Sequence, residues 1–194
     1  MTDAMHTRGN TLILIALAAL MAATRGQYFA PLGHHLPDAS VAVFLFGGFY
    51  IGRLYGFALL VGLAVLIDVT AVGWGGVSAY CITPAYGMLL PAYGSAWLLG
   101  HWYAGHHRHS PSTIPLLLFT TLGAGIAAEA FASGGFYLLS GHFADTSMIG
   151  LGHSLVHYLP QTLMALFTYT ALVALVHLAL ASTQPGLTTD THPH

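Results

Sequence analysis

Six apolar segments follow one another along the chain, separated by shorter stretches rich in glycine, histidine and other polar residues. The apolar residues run in unbroken blocks rather than along one face of a helix, which is typical of membrane-spanning helices. A span needs about 20 mostly apolar residues, and the pattern predicts an all-α bundle of six. The predicted bounds are Asn10–Phe29, Ala39–Gly52, Leu54–Ile67, Pro84–Trp102, Thr113–Ala132 and Leu155–Ala181.

Two of these segments need a separate interpretation. The second and third are short and meet at Arg53, which predicts a tight helical hairpin. The first, "TLILIALAALMAAT", also resembles the apolar core of a cleaved signal peptide. Its leading region carries one Arg and one Asp instead of a basic cluster, and this favours a retained span.

The arginines predict the orientation of the bundle. With a cytoplasmic N-terminus, Arg8, Arg53 and Arg108 fall inside and Arg25 falls outside. This distribution follows the positive-inside rule. Both termini are then cytoplasmic.

The predicted outer loops are longer and richer in glycine and aromatic residues than the inner ones. Connecting segments of this kind often form binding sites on a rigid scaffold, so we expect a pocket or lid on the outer side. The three loops are Arg25–Asp38, Asp68–Thr83 and Ser133–Ser154.

Composition narrows the class of protein. Only 5% of the 194 residues are charged, against about 25% in soluble domains, so the chain is expected to be one integral membrane domain in the lipid bilayer. It would fill residues 1–194, with polar tails at about 1–9 and 182–194. A net charge of −2 gives no reason to expect nucleic acid as a partner. A single cysteine excludes an internal disulfide and a cysteine-based metal cluster.

That cysteine, Cys81, lies in the stretch "SAYCITPAYG" of the second outer loop. A lone cysteine often behaves as a small buried hydrophobe. Here a helix is predicted to begin at Pro84, and a helix N-terminus favours the thiolate. A thiolate is a strong ligand for a transition metal. Both interpretations stay open on the residues alone.

Asp68 lies where the third predicted span ends. An ionisable residue at the edge of a span is a functional candidate, and the alternative is an exposed carboxylate that ends the helix. Its bare charge near Cys81 would oppose thiolate formation. It can instead accept a hydrogen bond from Tyr86, Tyr80 or the thiol, and Tyr86 is the preferred partner because it lies about one and a half turns beyond Cys81.

Other titratable groups are less specific. Glu129 falls within the fifth span, where a carboxylate implies either a ligand site or a hydrogen bond between helices. The chain has 13 histidines, among them the stretch "GHHRH" and the pairs His34–His35 and His153/His157. None has the fixed spacing of a metal site, which favours solvated interfacial histidines.

The stretch "LIDVTAVGWGGVSAYCITPAYG", set in a six-span chain, resembles the BtuM group of small, solitary cobalamin transporters. These are similar to the substrate-binding S-components of energy-coupling factor (ECF) vitamin transporters. The resemblance implies an S-component bundle in the bacterial inner membrane that captures vitamin B12 from the periplasm. The family's cysteine, aspartate and tyrosine match Cys81, Asp68 and Tyr86.

The resemblance also implies a chemistry. Cobalamin carries cobalt in a corrin ring with an exchangeable axial position, and the Cys81 thiolate is expected to occupy it. Ligation of cyanocobalamin would displace cyanide, a decyanation in which Asp68 and Tyr86 would assist. On loop position alone, we expect the corrin to contact the side chains of Tyr28, Tyr80, Phe136 and Tyr137.

The first span suggests a docking surface. Ala18/Ala22 and Ala19/Ala23 form small-xxx-small pairs that permit close helix approach. In S-components such a face docks the coupling subunit, and ordinary packing within the bundle is the alternative. No Walker-type motif is present, so transport would either be coupled to ATP hydrolysis through another subunit or proceed down a gradient.

Two other functions stay open. One is a nickel or cobalt ion permease that uses histidines, although S-components of that kind carry an N-terminal Met-His and His6 here follows "MTDAM". The other is a structural membrane subunit in which Cys81 is only packed. An intramembrane serine hydrolase is disfavoured, because "GGVSAY" lacks the second glycine of Gly-x-Ser-x-Gly.

Overall fold

A computed structural model describes residues 2–25, 36–75, 80, 83–108, 110–144 and 146–182. All regular elements in these ranges are helical, which confirms the predicted all-α class. Two short 3-10 turns, Pro84–Met88 and Pro111–Thr113, precede the fourth and fifth helices. The helices are α1 (Thr2–Arg25), α2 (Ser40–Tyr50), α3 (Leu54–Gly73), α4 (Leu89–His106), α5 (Ile114–Leu139) and α6 (Met148–Ser182).

Within the described ranges, three helices are long and apolar enough to cross a membrane: α3, α5 and the part of α6 from Met148 to His177. The segment Gly9–Arg25 of α1 and all of α2 are apolar but shorter. The lengths and composition of these helices indicate a membrane protein.

The predicted hairpin at Arg53 is present. Helix α2 ends at Tyr50 and α3 begins at Leu54. Between them Gly52 has a φ of 61°, a conformation that glycine adopts without steric penalty. Its N–H donates to the Gly47 carbonyl oxygen at 3.1 Å, which closes the end of α2.

The predicted end of the third span is wrong. Helix α3 continues past Ile67 to Gly73, so Asp68 lies inside the helix and not at the start of a loop. The Thr70 hydroxyl is satisfied within the helix, where it donates to the carbonyl oxygens of Leu66 and Ile67 at 2.9 and 2.8 Å. The helix ends only at the glycine-rich stretch that follows.

The predicted outer loop Ser133–Ser154 is also largely wrong. Helix α5 runs to Leu139 and α6 begins at Met148, so only a short connection remains. The glycines of "SGGFYLL" suggested a loop, but they lie inside α5. Gly135 leaves room for the Met88 side chain, which packs where a Cβ would lie.

Phe136 and Tyr137 therefore lie on the last turns of α5. Helix α6 begins directly after Ser147, whose hydroxyl oxygen accepts from the Gly150 N–H at 3.1 Å as a helix cap. The Ser147 N–H in turn donates to the Tyr137 hydroxyl oxygen at 3.1 Å. This bond ties the start of α6 to the end of α5.

The core is centred on α2, which is buried along most of its length. The Phe44 ring of α2 stacks on the Tyr93 ring of α4 with a centroid distance of 4.3 Å. Further along the same pair, Gly48 faces the Trp97 carbonyl and Gly100 faces the Leu45 carbonyl. The two backbones are close enough that only glycine fits at these positions.

We expect the substitution Gly100→Ala to lower the apparent melting temperature of the detergent-purified protein. Its Cβ would overlap the Leu45 carbonyl group, and a backbone clash cannot be relieved by a rotamer change. Overpacking of this kind costs about 1–3 kcal/mol.

Gly94→Ala is the control on the same helix, because its Cβ would meet only Phe57 at an ordinary 4.0 Å. Better helix propensity should make this change neutral or stabilising by up to about 1 kcal/mol. Equal melting temperatures for the two variants would contradict the close approach of α2 and α4.

Candidate binding cavity

A cavity of about 1010 Å³ opens between α1, α3, the start of α4, α5 and α6. Its wall combines charged, aromatic and imidazole groups with small apolar residues. The charged and titratable members are Arg25, Asp38, Asp68, Glu129, His153 and His157, and the aromatic members are Tyr80, Tyr86, Tyr93, Phe136, Tyr137, Phe143 and Tyr158.

A bidentate ion pair joins Arg25, the last residue of α1, to Asp68 on α3. Arg25 Nε donates to Asp68 Oδ1 at 2.7 Å, and its Nη2 donates to Oδ2 at 2.6 Å. The two side chains are only 12% and 19% exposed. Parallel N–H···O bonds of this kind are among the strongest polar contacts in proteins.

Three further side chains complete the network around this pair. Tyr86 donates its hydroxyl proton to Asp68 Oδ2 at 2.7 Å. Arg25 Nη1 donates to the Tyr93 hydroxyl oxygen at 2.6 Å and to the Ser40 hydroxyl oxygen at 2.9 Å. Because these residues come from α1, α2, α3, the 3-10 turn and α4, the network fixes one end of the bundle.

Asp38 adds a weaker contact to this network. Its Oδ2 lies 3.7 Å from Arg25 Nη1, and its side chain is 53% exposed. Its Oδ1 accepts from the Ser40 N–H at 3.0 Å and from the Ser40 hydroxyl at 2.7 Å. A carboxylate just before the N-terminus of α2 is also favoured by the helix dipole.

Glu129 forms a second polar group on the opposite side of the cavity wall. The residue is 6% exposed and lies in the middle of α5. Its Oε1 accepts from the Ser133 hydroxyl one turn later, and its Oε2 accepts from the Thr162 hydroxyl of α6 at 2.5 Å. Glu129 thus bridges two helices, as one sequence-based alternative predicted, and it also lines the cavity.

Aromatic rings form one edge of the cavity. The Tyr80 ring stacks on His142 with a centroid distance of 4.0 Å and an interplanar angle of 9°. Phe136 lies 5.7 Å from both of these rings. His142 Nε2 is also 3.1 Å from the Tyr80 carbonyl oxygen, so the α5–α6 connection contacts both the ring and the backbone of Tyr80.

The structure brings together five of the residues predicted from sequence. Asp68 and Tyr86 are hydrogen-bonded, which confirms the predicted pairing, and Tyr80, Phe136 and Tyr137 line the same cavity. The alternative of an exposed Asp68 carboxylate is wrong, since Arg25 covers it.

Two predicted residues, Cys81 and Tyr28, lie outside the described residues, as does the pair His34–His35.

Sequence reasoning missed the role of Arg25. It assigned Arg25 to an outer loop and used it only to orient the bundle, whereas Arg25 is the partly buried ion-pair partner of Asp68. The sequence did contain a signal for this pairing. Arg25 was the one arginine predicted on the outer side, and Asp38 and Asp68 were predicted on the same side. A lone cation and two carboxylates at the same end of an apolar bundle are expected to pair.

The described histidines do not form a metal site. Among the described residues there is no group of three or more His, Cys, Asp or Glu side chains that could hold a metal ion. In the stretch "GHHRH", His106 Nδ1 bonds the Trp102 carbonyl oxygen at 2.8 Å and His107 Nδ1 bonds the Tyr103 hydroxyl at 3.0 Å. His153 and His157 contribute instead to the cavity wall.

No family model matches the chain, and a comparison with curated proteins finds no match. Its function is therefore inferred from the geometry and chemistry of the cavity.

We expect Arg25→Met and Asp68→Asn each to destabilise the protein, because each leaves a charge without its partner in a partly buried site. Removing one member of a buried pair costs about 3–5 kcal/mol. The double variant should lose less than the sum of the two single variants. Melting temperatures in detergent measure this coupling.

Asp38→Asn is the matched control, since its carboxylate is 53% exposed and 3.7 Å from Arg25. Its effect should stay within about 1 kcal/mol. Additive effects of Arg25→Met and Asp68→Asn would show that the ion pair does not stabilise the fold.

Proposed function

We propose that this protein binds cobalamin in the cavity and carries it across the bacterial inner membrane, with the Cys81 thiolate as the axial cobalt ligand. The observation that carries the proposal is a large cavity, lined by aromatic and polar groups, whose wall contains both Asp68 and Tyr86. These are the described members of the set Cys81, Asp68 and Tyr86 that matches the BtuM pattern.

The size of the cavity supports a large organic ligand. At about 1010 Å³ it is at the upper end of the range of about 300–1,000 Å³ for small-molecule sites. A bare nickel or cobalt ion needs only a few convergent ligands and no such volume. The described residues offer no such ligand set, so the geometry favours the vitamin over the ion.

The chemistry of the wall also suits a corrinoid. Cobalamin presents a broad, largely apolar ring with amide groups along its edge. Tyr80, Phe136 and Tyr137 supply aromatic surface, and Glu129, His153 and His157 supply polar groups on the same wall. Apolar surface with a few convergent polar groups is the usual composition of a cofactor site.

We assign Cys81 to this cavity because residues close to it along the chain line the cavity. Tyr80 and Ala85, which flank it at one and four residues, both line the cavity. The Arg25 ion pair also weakens the objection that Asp68 opposes thiolate formation, because the guanidinium compensates the carboxylate charge. A thiolate close to this neutralised pair is a soft ligand for cobalt.

Ligation of cyanocobalamin would be a substitution without a redox change. The Cys81 sulfur forms a bond to Co(III) with its electron pair as the Co–C bond to cyanide breaks. Cyanide leaves with the electron pair of the broken Co–C bond and takes a proton from water. The Asp68–Tyr86 hydrogen bond would hold the polar wall in position during this exchange.

For the membrane arrangement, we propose that α1, α2 and α4 complete a six-span, single-domain bundle with both termini cytoplasmic. Ala19, Ala22 and Ala23 of α1 are exposed, whereas Ala18 packs against the core. The exposed alanines would let the coupling subunit of an ECF module approach closely, and its ATPases would supply the energy.

The visible absorption spectrum tests the proposal. Purified protein mixed with cyanocobalamin should retain the corrin through gel filtration, with bands shifted from those of the free vitamin. Cys81→Ala and Cys81→Ser should abolish the shift, and the wild type should release about one cyanide per bound corrin, since one axial ligand is exchanged.

Each alternative gives a different result. Retained corrin with an unshifted spectrum would remove Cys81 as the cobalt ligand while keeping the vitamin. A colourless wild-type protein would overturn cobalamin binding, and a nickel or cobalt binding assay would then test the permease.

The orientation is tested by labelling intact cells with a membrane-impermeant maleimide. Because Cys81 is the only cysteine, labelling at this position is unambiguous, and we expect it in intact cells. A Cys81→Ala/Ser110→Cys variant carries its thiol at the exposed Ser110 between α4 and α5. It should be labelled only after the cells are lysed, and the reverse pattern would invert the bundle.

A further inference from the structure

We propose that Glu129 is a specificity-determining residue that accepts hydrogen bonds from carboxamide N–H groups of the bound corrinoid and repels corrinoids that carry a carboxylate at that position. This inference rests on the proposed cobalamin function and names a ligand contact that the cobalt chemistry of Cys81 does not provide.

The first support is the hydrogen bonding of Glu129. Each carboxylate oxygen accepts one hydroxyl hydrogen bond, from Ser133 and from Thr162. A carboxylate has about four lone-pair positions, so acceptor capacity remains after these two bonds. Glu129 lines the cavity, and that remaining capacity is available to a ligand.

The second support is the charge balance of the wall. The charged residues that line the cavity are one arginine and three carboxylates. The ion pairs formed by the described residues join Arg25 to Asp68 and to Asp38. Glu129 is therefore buried without a cationic partner among them, and its charge acts on whatever occupies the cavity.

A buried, uncompensated carboxylate discriminates sharply between an amide and an acid. It gains a charge-assisted hydrogen bond from an amide N–H, whereas a ligand carboxylate at the same place would meet a like charge in a low-dielectric site. Polar recognition of this kind rejects the wrong ligand through repulsion as well as through a lost bond.

The test compares cyanocobalamin with its isomeric monocarboxylic acids, in each of which one peripheral propionamide is hydrolysed. Dissociation constants are measured near neutral pH for the wild type and for Glu129→Gln. In the wild type at least one isomer should bind roughly tenfold or more weakly than cyanocobalamin. Glu129→Gln should bring that ratio close to one, because glutamine keeps the size and loses the charge.

Ser112→Lys is the matched control for net charge. Like Glu129→Gln it makes the net charge one unit more positive, but it does so at an exposed residue that does not line the cavity. It should leave the ratio unchanged. Equal relaxation in Ser112→Lys and Glu129→Gln would mean that net charge, and not Glu129, sets the preference, and would overturn the inference.

The wild type alone can also refute the inference, whether or not the Glu129→Gln variant folds. If every monocarboxylic isomer binds as tightly as cyanocobalamin, Glu129 does not discriminate and the inference is wrong, although cobalamin binding stands. If neither the vitamin nor any isomer binds, the proposed function itself has failed.

Discussion

The ion pair between Arg25 and Asp68 is the constraint on which this end of the bundle depends. Two charges among largely apolar helices are tolerated only when they are paired and their remaining hydrogen-bonding groups are satisfied. Here the two parallel bonds are supplemented by Tyr86, Tyr93 and Ser40. Because these partners come from successive elements, a shift of any one helix along its axis would leave a charge exposed to apolar surroundings. The pair and its partners thus fix the relative heights of α1, α2, α3 and α4 at this end.

Two carboxylates of the cavity wall, Asp68 and Glu129, have different partners. The charge of Asp68 is compensated within the protein, so its role is to hold structure and to keep the polar wall in place. Glu129 is held by neutral hydroxyls that orient it without cancelling its charge. One carboxylate is therefore balanced by a cation within the fold, and the other, on the cavity wall, is held by hydroxyl groups alone.

Much of the fold could be predicted from the sequence, because unbroken apolar blocks indicate helices and Arg53 marks the break between two of them. The helix ends were not predictable, since the glycines of "SGGFYLL" are required by packing against another element, as Gly135 is by Met88, and do not mark a loop. For the site, the pairing of Asp68 with Tyr86 could be predicted because the two residues lie on either side of Cys81 in one stretch of the chain. Arg25 and Thr162 were missed because their partners lie 43 and 33 residues away, and only tertiary packing brings them together.

The seam between α2 and α4 has a mechanical consequence. At Gly48 and Gly100 the backbones of α2 and α4 are in direct contact. No side chain lies between them there that could change rotamer and let one helix slide along the other. These two helices therefore behave as a stiff unit, to which Phe44 and Tyr93 add a stacked contact. Any rearrangement that admits or releases a ligand must be taken up elsewhere.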